Sequence, residues 1–275
     1  MIGVMQGRLS IPTSNKIQEF PWETWEVEFE EASNLGINKI EWTLDHSGLY
    51  ENPIMTKQGR VQIKSLSTKH NILIDSITLD CFLESPIHKV NSFNNKTSDV
   101  KTLIDVAKCC NEAGIKIGVL PLVYESGEDN ADSLRKLVEI LAKLDNEFQK
   151  LEFQIALECE LILEMINWIH MNTICLASVG FNFDMGNSAS IGNNPTEEIS
   201  ILNKRILNVH IKDRLPKGKT VPLGTGIVNF ALVSEQLSKI GYSGNYILQA
   251  ARKRNGFESL DIREYLDFCK LNGWS

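Results

Sequence analysis

Short apolar runs alternate with longer amphipathic stretches from one end of this chain to the other, and that alternation leaves few folds open. The apolar runs lie at residues 2–5, 39–44, 72–78, 115–122, 153–158, 179–184, 206–211 and 245–249. Between them, residues 131–147 place Leu134, Leu137, Val138, Leu141 and Leu144 on one face at helical spacing. Weaker versions of the same pattern predict helices over 22–35, 59–69, 97–113, 161–170, 196–204, 230–240 and 260–271, with Gly36 and Gly114 as stops. Several strand candidates, ILIDSIT and FQIALE among them, alternate too weakly for a sheet with one wet face. They suit a parallel sheet covered on one side and packed on the other. Eight strand–helix units in 275 residues match the scale of a (β/α)8 barrel, which needs roughly 250. The rival, a doubly wound open sheet, wants a glycine-rich turn after its first strand. Gln6-Gly7-Arg8-Leu9-Ser10 stands there and carries no GxGxxG. No linker or composition shift divides the chain. The reading is an α/β protein, a (β/α)8 TIM barrel in a single domain over residues 1–275.

Charge and composition narrow the function. With 35 acidic residues against 28 basic ones the chain carries a net charge of −7. It lacks the basic footprint of a phosphate-backbone binder, so no nucleic-acid partner is expected. No apolar run approaches the roughly 20 residues of a membrane span, so no membrane partner is expected either. The opening MIGVMQGRLS has no basic segment followed by an apolar one and reads as a strand from residue 2. Six cysteines (Cys81, Cys109, Cys110, Cys159, Cys175 and Cys269) form no CxxC pair. They read as reduced thiols of a cytoplasmic protein rather than a disulfide framework.

Barrels of this kind build their reactive face from the carboxyl ends of the strands. The fifth strand candidate ends in Glu158 and the sixth in Asp184; His210 lies near the end of the seventh, and the eighth ends in Gln249. Four oxygen or nitrogen donors thus converge from four consecutive strands. That set suits Mn²⁺, Mg²⁺ or Co²⁺ better than Zn²⁺, which favours thiolates but stays an alternative. Each residue alone has a plainer reading: Glu158 as a helix N-cap, Asp184 as a turn residue, His210 as a hydrogen-bonded core histidine. Their joint spacing is what favours a cation site.

Three segments carry a resemblance over essentially the whole chain: GVMQGRL at the start, NVHIKDR at 208–214, and PLGTGIVNF at 222–230, which is similar to a PLGxGxxxF loop. The chain resembles the sugar isomerases and epimerases of the xylose isomerase-like barrel superfamily, which also holds endonuclease-four-type repair enzymes. The resemblance implies that Glu158, Asp184 and His210 are metal ligands. It also implies a second glutamate at the end of strand eight, ligand and base together, where this chain has Gln249. A glutamine lends a carbonyl oxygen but neither charge nor a site for a proton, so weak cation binding is expected and a two-carboxylate epimerisation is in doubt. Asn187 replaces a histidine often found three residues after the strand-six aspartate. Glu158 is left as general base, with Lys212, on the same strand face as His210, or a water activated by the cation as proton partner. Lys212 reads equally as a solvated lysine at the strand exit.

Around this centre the expected substrate contacts are Gln6 and Arg8 after strand one, Glu41 in strand two (to substrate or to the ligand histidine), His46, Asn187, Arg214 and Arg252. Arg214, Lys217, Lys219, Arg252, Lys253 and Arg254 form a basic rim where barrels frequently bind phosphate, and the PLGTG loop adds backbone N–H groups. The plainer readings are a solvated rim and a turn whose glycines need φ > 0. The expected function is a metal-assisted isomerase or epimerase acting on a sugar or sugar phosphate through an enediolate. The alternatives are a barrel that has lost catalysis and binds a carbohydrate or a partner, and, less favoured with only five histidines, a metal-dependent repair endonuclease. Association into a homo-oligomer is left open.

Overall fold

The computed structural model describes residues 2–12, 18–83, 85–88, 98–123 and 131–274. Eight parallel strands close into a barrel: β1 (Ile2–Met5), β2 (Ile40–Thr43), β3 (Ser76–Thr78), β4 (Ile117–Leu122), β5 (Gln154–Cys159), β6 (Val179–Asp184), β7 (Ile206–Ile211) and β10 (Asn245–Leu248). They follow one another around the ring in chain order, and β1 pairs with β10 to seal it. Two further strands, β8 (Asp213–Arg214) and β9 (Thr220–Val221), form a small antiparallel ribbon just past β7. No helix among the described residues is long and apolar enough to cross a membrane. All six cysteines are free thiols.

The weak alternation of the strands has a physical cause. One face of each strand packs apolar side chains against the helices, as Phe181 and Phe183 of β6 and Val209 and Ile211 of β7 do in the main core. The other face points into the barrel, and there the lining is polar. Glu41, Asn182, Asn208 and His210 are all buried and bonded to one another. Both faces are therefore buried, one against hydrocarbon and one in a hydrogen-bond network.

Helix α4 (Ala131–Lys150) buries the leucine face that its spacing predicted. Other boundaries move. Helix α1 (Val27–Asn34) begins five residues after the expected start at 22, because 22–26 are taken up by turns. Strand β3 keeps only Ser76–Thr78 of the run 72–78. Helix α6 (Met185–Ile191) was not foreseen: MGNSASI has no apolar period, and its helix is started by the Asp184 side chain, which accepts from Asn187 N. Neither Glu158 nor any other side chain caps α5 (Leu163–Thr173), whose N-cap is Ile162.

The contact between β6 and β7 is closest at Gly180. A Cβ there would lie 2.6 Å from the Arg205 carbonyl oxygen and 2.5 Å from Leu207 Cγ. Gly180→Ala should cost about 1–3 kcal/mol in urea-unfolding stability through overpacking of the barrel wall. An unchanged midpoint would mean that the two strands sit further apart at this level.

Candidate active site

The network inside the barrel starts at a carboxylate. Glu41 of β2 is fully buried; its Oε1 lies 2.6 Å from Nε2 of His210 on β7, and its Oε2 accepts from Asn208 Nδ2 at 2.9 Å. The same Asn208 amide donates to Asn182 Oδ1 at 2.9 Å, so Asn182 presents its own Nδ2 to His210 Nδ1 at 3.0 Å. An ionised carboxylate only accepts, so each donor in this chain is oriented by the one before it. Nε2–H is thereby directed at Glu41, while Nδ1, on the side of Glu158 and Asp184, accepts from Asn182 Nδ2. This is the arrangement in which a second carboxylate orients a ligating histidine.

At the mouth, His210 Nδ1 is 3.7 Å from Glu158 Oε1 and 3.9 Å from Asp184 Oδ2. Donor atoms of Glu158, Asp184 and His210 all lie within 4.8 Å of one another, and all three residues are buried. Asp184 is held at Oδ1 by its cap to Asn187 N, 2.8 Å, which leaves Oδ2 facing Lys212 Nζ at 3.2 Å. Asn187 Nδ2 donates to Glu158 Oε1 at 2.9 Å, and Arg214 Nη1 donates to Asn187 Oδ1 at 2.8 Å. Asn187 therefore steers Glu158 rather than standing in for a missing histidine ligand.

These charges reshape one another. Burial would lower the His210 pKa, but the carboxylates of Glu41 and Glu158 overcome it and push it up to about 10. Burial raises Glu158, while His210 and Lys212 together hold it below the usual carboxylate range. Asp184 stays above its usual range, chiefly through burial, with Glu158 adding to the push. The centre thus favours positive charge at its middle, supplied by a proton or by a cation. A further sign is Gln249: its Oε1 is buried with no hydrogen-bond partner among the described residues. It lines a cavity of about 80 Å³ together with Glu158 and Lys212. An acceptor oxygen left without a donor beside two carboxylates and an imidazole nitrogen fits a fourth ligand to a divalent cation.

The remaining expected residues separate into two groups. Arg8 lines the same cavity, with Nε donating to Ala250 O at 3.1 Å and Nη2 to Gln18 Oε1 at 3.1 Å. Burial, with Arg252 adding, lowers its pKa to about 9. Gln6 is buried beneath, its Oε1 taken by Thr43 N at 3.0 Å. Glu41 meets the histidine and not the cavity. His46 is exposed and outside the cavity lining.

Most side chains of the expected phosphate rim bond within the chain. Arg214 is committed to Glu160 and Asn187, Arg252 to the carbonyls of Ser10 and Gly7, Lys253 to Glu264, and Arg254 to Asp261 and Glu264. Lys217 and Lys219 are exposed. The N–H groups of the PLGTG loop are spent as well: the fully buried Asp213 carboxylate takes Gly224 N at 2.9 Å, Gly226 N at 2.8 Å and Val228 N at 3.1 Å. An internal carboxylate occupies the place an anion would need.

Among the lining residues that the strand ends did not point to is one carboxylate. Asp80, two residues beyond β3, lines the cavity beside Glu158 and Lys212, and its Oδ2 accepts from Gln18 Nε2 at 3.0 Å. The signal that could have found it is the strand-end rule extended two residues beyond Thr78.

Comparison with known proteins agrees with this architecture. The sequence pattern of the family described as xylose isomerase-like TIM barrel matches residues 29–270. A Haemophilus influenzae protein provisionally named L-ribulose-5-phosphate 3-epimerase is 23% identical over 252 residues, covering 87% of this chain and 88% of its own. The crystal structure of the Clostridium cellulolyticum D-psicose 3-epimerase with D-tagatose superposes with a TM-score of 0.70 at 12% identity, over 99% of both chains. The Escherichia coli 3-keto-D-glucoside 4-epimerase superposes with a TM-score of 0.67 at 16% identity, over 98% of both.

Asp213→Ala strands several loop N–H groups and should lower unfolding stability by about 2–3 kcal/mol. Urea denaturation measures this. A loss under about 0.5 kcal/mol would show that solvent serves the loop equally well.

Proposed function

We propose that this chain, which belongs to the xylose isomerase-like TIM barrel family, is an isomerase or epimerase of a sugar or sugar phosphate that works with a divalent cation. The observation that carries the reading is the cluster of Glu158, Asp184 and His210 at the barrel mouth, with the unpartnered Gln249 oxygen on the same cavity wall. Those four residues would hold the cation, and a divalent cation supplies polarisation of a carbonyl and a neighbouring hydroxyl oxygen. Because the Arg214, Arg252, Lys253 and Arg254 side chains bond to other groups of the chain, a sugar without phosphate suits the cavity better than a phosphorylated one.

The residues divide the work. Glu158 is held ionised and is steered by Asn187 Nδ2, so one carboxylate oxygen stays fixed while the other is available as a base. It takes the proton on the carbon beside the substrate carbonyl, leaving an enediolate. Glu41 keeps His210 from turning its lone pair away. Arg8 and Lys212 bring positive charge to the cavity wall, where the enediolate oxygens carry negative charge.

One observation favours a second reading. Lys212 Nζ sits 3.2 Å from Asp184 Oδ2 and, with Gln249 uncharged, could serve as the internal counter-ion in place of a metal. The barrel would then bind a carbohydrate without turnover.

Titration with Mn²⁺ separates the two. Gln249→Glu adds one charge beside the cation and should tighten Mn²⁺ binding at least about tenfold. Glu158→Gln should abolish exchange of the substrate's carbon-bound hydrogen with solvent at any Mn²⁺ concentration. Asp184→Asn should lose activity that excess Mn²⁺ partly restores. Equal Mn²⁺ affinity of wild type and Gln249→Glu would place residue 249 outside the coordination sphere, and absence of Mn²⁺ binding in both would favour the non-catalytic reading.

A further inference from the structure

With Gln249 at the end of the eighth barrel strand, the site has a base on one side and no carboxyl there to return a proton from the other. A carboxyl stands elsewhere on the cavity wall. We propose that Asp80 is the second proton-transfer residue of this site, paired with Glu158 across β4, so that the reaction is an epimerisation with one carboxyl for each face of the carbon. This assignment rests on the epimerase reading above.

The geometry carries it. β3 and β5 flank β4 in the barrel, and Pro121 of β4 lines the cavity along with Asp80 and Glu158. The two carboxyls therefore reach one cavity from either side of a single strand. Asp80 is tethered at Oδ2 by Gln18 Nε2, and among the described residues its Oδ1 accepts no hydrogen bond. One oxygen positions the group and the other is left to carry a proton. The cluster able to hold a cation is Glu158, Asp184 and His210, and Asp80 stands outside it.

The surroundings of Asp80 favour its protonated form. Burial first, then the charges of Asp45 and Glu158, push Asp80 up to about 7, against the pull of His210 and the Gln18 hydrogen bond; Arg8 also feels its charge. A carboxyl so raised holds a proton that it can give.

The step balances. The Glu158 carboxylate takes the proton, the C–H pair becomes the C=C bond of the enediolate, and the carbonyl π pair settles on its oxygen. Asp80 then gives its carboxylic proton to the same carbon from the other face. The C=C pair forms the new C–H bond and the oxygen pair restores the carbonyl. Glu158 ends protonated and Asp80 ionised, the states required for the reverse passage, and exchange with water resets them.

The experiment incubates the full chain with Mn²⁺ in deuterated buffer with D-psicose, D-fructose, D-tagatose and L-ribulose 5-phosphate, following epimer ratio and deuterium at the inverted carbon. Asp80→Asn should lose epimerisation by about 100-fold or more yet still exchange the hydrogen of the epimer that faces Glu158. Asp80→Glu should recover part of the epimerisation, and both variants should melt and bind Mn²⁺ as wild type does. If Asp80→Asn does not fold, Asp80→Ser with added formate carries the test, and restoration of epimerisation by formate is the expected result. Equal loss of exchange and epimerisation in Asp80→Asn, loss of neither, or no rescue by formate would overturn the role of Asp80 while leaving the epimerase reading intact. A wild-type protein that neither epimerises nor exchanges any of the four sugars would overturn that reading, and the assignment of Asp80 with it.

Discussion

Glu41 and His210 lie 169 residues apart in sequence and meet across the barrel at 2.6 Å, both fully buried. Almost everything at the mouth depends on that bond. A carboxylate sealed in a barrel must be paired and hydrogen-bonded, and Glu41 is, by His210 on one oxygen and Asn208 on the other. Pairing it this way orders Asn208, then Asn182, then the ring itself, so the inward nitrogen of His210 is fixed before any ligand arrives. Glu158 and Asp184 converge on that nitrogen from β5 and β6. Three buried carboxylates around one imidazole and one lysine make a centre that attracts positive charge and resists further negative charge. The raised proton affinity of Asp80, on the edge of this centre, is partly a consequence of the same crowding.

Much of this was legible in the chain. Barrels put chemistry at strand ends, and β5, β6 and β7 announce their ends by apolar runs that stop at Glu158, at Asp184 and just after His210. What the runs could not reveal was the partner of each polar atom. Asp213 stands in the same NVHIKDR segment as His210, yet its carboxylate turns outward to gather the PLGTG loop. Arg214 beside it looks like an anion contact and is in fact clamped by Glu160 and Asn187. Long-range hydrogen bonds of this kind depend on loop paths that local pattern does not encode. Asp80 escaped for a different reason: it stands two residues past the end of β3 at Thr78, whereas the strand-end reading stopped at the last residue or two of each run.

The replacement of a glutamate by Gln249 has consequences beyond its own position. It removes one negative charge from a cavity wall that already holds Glu158 and Asp80, and leaves an acceptor oxygen without a donor. On the epimerase reading proposed above, a weaker hold on a cation and a different source for the second proton go with the glutamine. The Asn187–Arg214–Glu160 chain, in turn, orients Glu158 through an amide where the resemblance would place an imidazole.

The central claim is that the barrel mouth holds a divalent cation between Glu158, Asp184, His210 and Gln249. Diffraction from crystals of the protein grown with Mn²⁺, recorded at the manganese absorption edge, tests it most directly. The account predicts one anomalous peak at the mouth, bonded to His210 Nδ1, to a carboxylate oxygen each from Glu158 and Asp184, and to Gln249 Oε1. A map without that peak, with Lys212 Nζ still against Asp184 at saturating Mn²⁺, would contradict it.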